Sequence, residues 1–262
     1  MCVGDAFQDL CSDEGFITAL LYFLQTGDDV LIWLATVCST WVFMCRHTTG
    51  RSESTPMGNV SYGGVSGANK MVARSGVVIA LSYVWLKAWG LEQPDKTLMV
   101  RHDTIKFIKS CVDAVQRQIY APVGMQWHTV TTFMGCFGHE RPKKSEIYSN
   151  RTWMTAMARD LHEAGRVFPS MEESGIAFIR TDKRVTGKTV LKETQSYTPE
   201  FAQAVFNTWS RMEHGKGHFL KSLDSPLPSE IIQATNDGEA HNAWRLACIG
   251  SALQTSMKRR EA

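Results

Sequence analysis

The chain has 262 residues, 44 % hydrophobic and 21 % charged, the composition of a soluble globular protein with room for one large α/β domain or two modest ones. Its formal net charge is +2 with the histidines neutral. So near a balance demands no nucleic-acid partner and leaves room for a local basic patch.

In chain order, Asp13-Glu14-Gly15 before an apolar run and Gly27 after it predict a helix over 15–25, acidic at its start and stopped by glycine. Residues 30–37, VLIWLATV, form a short apolar run without a helical stripe. Rich in β-branched and aromatic side chains, it has the pattern of a buried parallel strand, and Cys38 stands at its carboxyl end. A polar stretch of about two dozen residues follows, a length at which loops are often functional or disordered. It carries Arg46, His47, Arg51, Asn59 and Asn69. The next helix is expected from 65 to 85 or 87, basic at first (Lys70, Arg74) and apolar later, so its far end should be buried.

Residues 87–91 read as the tail of that helix and a very short strand, with Pro94 stopping the sheet. Residues 102–120 form an amphipathic helix, with Ile105, Ile108, Val112, Val115 and Ile119 at three- and four-residue steps. Strands are expected at 126–132 and 146–149, flanking the basic loop 135–144, and Asn150 is expected to cap a helix over 152–161. The stretch 165–188 reads as irregular, its tail TDKRVTGK as an exposed basic hairpin. Thr198-Pro199-Glu200 starts a further helix. Residues 215–262 read as a linker and a last helix over 242–255. Strands alternating with helices argue a mostly parallel, doubly wound sheet with a hairpin at one edge.

The seven cysteines are widely spaced and include no CxxC pair, so a structural zinc cluster is not expected, and no metal is assigned. They suit a reducing, intracellular compartment, nucleus or cytoplasm. The N-terminus lacks a basic region ahead of an apolar core and does not read as a signal peptide. The apolar runs around 16–24 and 76–89 are too short to span a bilayer.

Three places end a predicted strand with reactive side chains: Cys38, Glu92, and the loop with Arg141, Lys143 and Lys144. Strand ends of one open sheet converge, so the three are expected to share a cleft. A thiolate attacking an electron-poor carbon needs a proton donor nearby, which a partly buried glutamate supplies. Basic side chains would hold a phosphate backbone and lower the thiol pKa. The plainer readings are a buried structural cysteine, a glutamate that pairs locally and a solvated turn. A cysteine hydrolase would require a histidine beside Cys38, from His47, His128 or His139.

In these words the sequence resembles the DNA cytosine-5 methyltransferase family. VCST at 37–40 is similar to the family's Pro-Cys strand end, LEQP at 91–94 to its Glu-Asn element, FGHERPKKSEIYSN at 137–150 to a later strand-flanking segment, and YTPEFAQAV at 197–205 to its C-terminal helix. The likeness covers roughly 30–205. It implies Cys38 as the nucleophile towards C6 of cytosine and Glu92 as the group at the base edge, with Gln93 in place of the asparagine. It implies an α/β fold, an incomplete Rossmann-like methyltransferase sheet with flanking helices, over a domain at 1–214. The family's FxGxG loop for S-adenosylmethionine has no counterpart before Cys38, and Val37 replaces the proline. The expectation is therefore a degenerate, non-catalytic binding or structural module. The alternative is an active enzyme with S-adenosylmethionine as cofactor.

The expected partners are DNA or RNA, met by Arg46, Arg51, Lys70, Arg74, Arg141, Lys143 and Lys144 on one positive face. A protein partner would cover the exposed edge strand 30–37. No membrane span is expected.

Overall fold

The computed structural model describes residues 9–27, 30–117, 126–168, 179–181, 184–186 and 196–213. The expected helix at 242–255 and the boundary at 214/215 lie outside the described residues.

Helix α1 (Asp13–Gln25) starts where Ser12 Oγ accepts from the Gly15 N–H at 2.9 Å, with Asp13 and Glu14 in the first turn. Its far end is capped from a distance. The buried Lys87 ammonium donates to the Phe23 and Thr26 carbonyls at 2.7 and 2.6 Å, satisfying carbonyls that the helix leaves open. Helix α2 (Arg46–Thr49) is a single turn, and α3 (Gly63–Val84) is the longest helix among the described residues. Helix α4 (Asp103–Gln116) buries Ile105, Ile108, Val112 and Val115 of the expected stripe, whose Ile119 lies outside the described residues. Gly76 of α3 lets the two helices approach, since a Cβ there would stand 2.3 Å from Thr104 Cγ2.

Four strands form one open, mixed sheet: β1 (Leu31–Leu34), β2 (Ala88–Pro94), β3 (His128–Phe133) and β4 (Lys144–Ser149). Their order is β1-β2-β4-β3. Only β1 and β2 are parallel, with Leu34 opposite Leu91; β4 runs antiparallel to both its neighbours. The expected edge hairpin is β3–β4. The sheet is thus mixed, not mostly parallel. Two short antiparallel strands, β5 (Ile179–Thr181) and β6 (Arg184–Thr186), fall on the stretch expected as a basic hairpin, of which residues 182–183 and 187–188 lie outside the described residues.

Alternation along the strands divides the core in two. Trp89, Leu91, Tyr148 and Leu34 join α1, α3 and α4 on one face. Ala88, Ile147, Val130 and the partly buried Trp33 join Trp153, Met154 and Met157 on the other, with Phe201 and Val205 of α5 (Pro199–Glu213). Among the described residues no helix is long and apolar enough to cross a membrane.

Local expectations changed in four places. Strand β1 ends at Leu34 and not at residue 37, so Cys38 lies beyond the strand and not at its end. Strand β2 extends through Glu92 to Pro94, so Glu92 lies within the strand and not beyond it. The expected α-helix at 152–161 is replaced by 3-10 turns at Thr152–Met157 and Leu161–Ala164. Asn150 does not cap it; its amide accepts from Trp89 N–H at 3.0 Å and donates to the Lys87 carbonyl at 2.9 Å, closing the start of β2.

Candidate functional site

The chain leaves β1 at Leu34 and reaches Cys38 four residues later, held by groups from elsewhere. The buried Gln93 amide donates to both the carbonyl and the hydroxyl of Thr36 at 3.0 Å, which keeps the run beyond β1 beside β2. The Trp41 N–H closes a turn onto the Cys38 carbonyl at 2.8 Å, and Leu98 N–H donates to the Trp41 carbonyl at 3.0 Å. Gln93 and Glu92 point to opposite faces because they are consecutive in a strand. The first therefore fixes the backbone while the second faces the α5 side, in register with Ile147.

Glu92 is only 4 % exposed, and a carboxylate at that depth needs partners. One oxygen, Oε2, accepts a short hydrogen bond from the Tyr197 phenol. The other, Oε1, has no hydrogen-bond partner among the described residues. Tyr197 sits half-buried just ahead of α5, its ring stacked on Phe201 with centroids 5.4 Å apart and planes 15° from parallel. Lys143 Nζ lies 5.3 Å from the centroid of the same ring, within cation–π range. Lys143 has a positive φ of 29°, an uncommon conformation for a residue with a side chain. Farther along the same face the buried hydroxyls of Ser145 and Thr132, opposite one another in β4 and β3, also lack partners among the described residues.

Cys38 is within electrostatic reach of this group. Burial pushes the thiol pKa up, and the Glu92 charge pushes it further; Lys143 opposes them more weakly. The thiol is therefore neutral near pH 7, and a neutral thiol is a poor nucleophile. The Tyr197 phenol is also driven up, by burial first and by Glu92 second, so it stays protonated and remains a donor. Cys38 and Glu92, separate strand ends in the sequence, thus lie within electrostatic reach of one another, with Lys143 and Tyr197 in the same group.

The basic residues divide. Arg51 is 2 % exposed, and its guanidinium donates to the Pro56 and Val65 carbonyls and to Asn69 Oδ1 while lying over Trp41. Burial lowers its pKa to about 10, which leaves it charged at neutral pH. Arg74 is fully buried, donating to the Leu10 and Ser12 carbonyls and pairing with Asp13. Lys70 pairs with Asp13 at 3.3 Å. Arg51 and Arg74 are internal clamps, and a single positive face of all seven residues is not what the fold presents. Arg46, Arg141 and Lys143 are half-buried and Lys144 is exposed, paired with Asp95 at 3.3 Å. Arg46 lies 5.1 Å from the centroid of the Phe43 ring, which is 73 % exposed, and β6 runs beside the turn at Phe43–Cys45.

None of the three candidate histidines hydrogen-bonds Cys38. His128 lies on β3, at the opposite edge of the sheet from β1, and bonds Gln126 at 2.6 Å. His139 Nδ1 accepts from Arg141 N–H, and His47 is exposed on α2. The residue that sequence reasoning missed is Tyr197. It precedes an evident helix start, but nothing local ties it to a glutamate 105 residues away.

No family model matches the chain, and neither a curated protein nor a solved structure matches it.

Proposed function

We propose that this chain is a degenerate relative of the cytosine-5 methyltransferases that works as a nucleic-acid-binding module without catalysing methyl transfer. The observation that carries the reading is the electrostatic proximity of Cys38 to Glu92, the two residues the resemblance picks out, in a state unsuited to nucleophilic attack. The thiol is neutral and the carboxylate already holds a phenol. The sheet order supports the relationship. A parallel pair followed by a reversed strand that pairs in turn with an edge strand is what the second half of a Rossmann-like methyltransferase sheet would contribute. Arg46, Arg141, Lys143 and Lys144, with the exposed Phe43 ring, give the rim its means of holding phosphates and stacking on a base. The outer side of β1, an edge among the described residues, is where a protein partner would add a strand.

The test is fluorescence anisotropy with single- and double-stranded oligonucleotides across a salt series. The expected result is binding that weakens steeply as salt rises, without base methylation. Binding that is absent, or indifferent to salt, would end the nucleic-acid reading.

An active cytosine-5 methyltransferase is the second reading, favoured by the same proximity of Cys38 and Glu92. Its methyl donor would be S-adenosylmethionine. Beside β1 the described residues supply neither a further strand nor a glycine loop to hold it, so the donor does not fit what is present and no step is drawn through it. Saturable binding of S-adenosylmethionine in calorimetry, lost methylation in Cys38→Ala and retained folding would together overturn the module reading in favour of this one.

A further inference from the structure

We infer that Tyr197 is an internal latch, filling the slot that Glu92 would otherwise offer to a planar heteroaromatic ring bearing N–H donors. The inference deepens the proposed function, since it rests on the reading that Glu92 faces a ligand and names what controls access to it.

Three features of one ring support it. Its edge group donates a hydrogen bond into a buried carboxylate. One face stacks on Phe201 in a nearly parallel arrangement, an orientation that suits flat aromatic partners. The Lys143 ammonium lies 5.3 Å from the ring centroid. An acceptor, a stacking wall and a cation are the contacts that hold a flat, polar ring, and here the chain supplies the ring itself. Glu92 Oε1 carries the argument further. It is buried without a hydrogen-bond partner among the described residues, beside an oxygen that has one. The phenol offers a single donor and satisfies one oxygen, whereas a ring with adjacent N–H groups satisfies both. Tyr197 is half-buried while Glu92 is not exposed, and the phenol occupies one of the two carboxylate oxygens. A ligand that takes both oxygens of Glu92 therefore has to displace the phenol first. Its apparent affinity is reduced by the fraction of molecules in which the slot is closed.

The test uses 2-aminoquinazolin-4(3H)-one, a neutral ring with adjacent N–H donors, as the probe, measured by ligand-observed NMR with the full chain near neutral pH. Wild type is expected to bind weakly. Tyr197→Ala empties the slot and is expected to bind about tenfold to a hundredfold more tightly, the range set by losing one hydrogen bond to a charged acceptor. Adding Glu92→Gln to Tyr197→Ala should remove that gain. Equal binding by wild type and Tyr197→Ala, including none by either, overturns the latch, as does a gain that survives Glu92→Gln. If circular dichroism shows Tyr197→Ala unfolded, Tyr197→Leu is read in its place. It keeps an apolar side chain against Phe201 and loses both the ring and the hydroxyl, and no rise in probe affinity overturns the proposal. Failure of the two ideas is separable. Oligonucleotides that never bind, with a probe gain in Tyr197→Ala, would sink the nucleic-acid reading and support the latch. Oligonucleotides bound by wild type, with no probe gain, would do the reverse.

Discussion

The guanidinium of Arg51 lies 3.4 Å from the centroid of Trp41, and through that contact the long polar stretch after Cys38 is tied to the turn that carries the thiol. The same side chain donates to Pro56, Val65 and Asn69, so one residue orders both ends of the loop. Arg51→Ala leaves those acceptors buried without a donor. The expected loss is on the order of 3 kcal/mol in chemical denaturation, and Arg51→Lys should recover only part of it because a lysine lacks the planar fork. A loss below about 1 kcal/mol would place the residue among ordinary surface charges.

Cys38 should be a slow nucleophile that speeds up with alkali. Burial and the Glu92 charge raise its pKa, so the thiolate fraction near neutrality is smaller than for an ordinary thiol and grows only at higher pH. Alkylation of Cys38 by iodoacetamide, followed by peptide mass spectrometry, should show this profile. Glu92→Gln removes a negative charge and should shift it to lower pH. Lys143→Met removes a positive charge and should shift it higher. Shifts in the opposite directions would disprove the electrostatic grouping of these three residues.

Gly90 faces Trp33 across the β1–β2 pair, where an added Cβ would come within 2.6 Å of the indole ring. Alanine in a strand gains roughly 0.5–1 kcal/mol over glycine. Forcing a ring in a packed core costs about 1–3 kcal/mol. The clash is expected to win, because Trp33 is braced against Phe201, their centroids 5.9 Å apart. Gly90→Ala should therefore be destabilised in urea, and the disturbed Phe201 should loosen Tyr197. A stabilised variant would show that the indole moves away without cost.

Stability should fall at high pH. Tyr83, Tyr148 and Tyr197 all have pKa values raised chiefly by burial. Above about pH 10 the unfolded chain loses phenolic protons that the folded one keeps, so the unfolded state binds fewer protons and unfolding becomes easier. The stability these groups contribute is present below the ordinary tyrosine pKa and is lost as pH rises above it. Arg51, with its lowered pKa, acts in the opposite sense. Urea midpoints between pH 8 and pH 11 measure the sum. In Tyr197→Phe, which has no phenol to titrate, the alkaline decline should be shallower than in wild type.

The rim charges and the buried clamps should separate in binding experiments. Removing Arg141 or Lys144 should lower the slope of log affinity against log salt by about one each, without loss of folding. Arg74→Ala should instead lower stability, since its guanidinium is fully buried against carbonyls of the α1 start. A stable Arg74→Ala protein with a reduced salt slope would return Arg74 to the binding face.

Much of this molecule was legible in the chain by itself. The helical stripe from Ile105 to Val115, the capping signal at Thr198 and the strand pair at 128–133 and 144–149 follow from side-chain spacing and local backbone preference, which need no distant partner. The segment at 152–157 had a helical sequence yet became a 3-10 turn, where packing of Trp153, Met154 and Met157 against the sheet overrode propensity. Only the tertiary structure decided which charges face water. Arg51 and Arg74 read like Lys70 and Lys144 in sequence, and only the carbonyls gathered around them distinguish a clamp from a solvated cation. It also decided that Tyr197 answers Glu92. A hydrogen bond between residues so far apart in the chain exists only because the sheet and α5 bring them together, and no pattern of neighbours encodes that meeting.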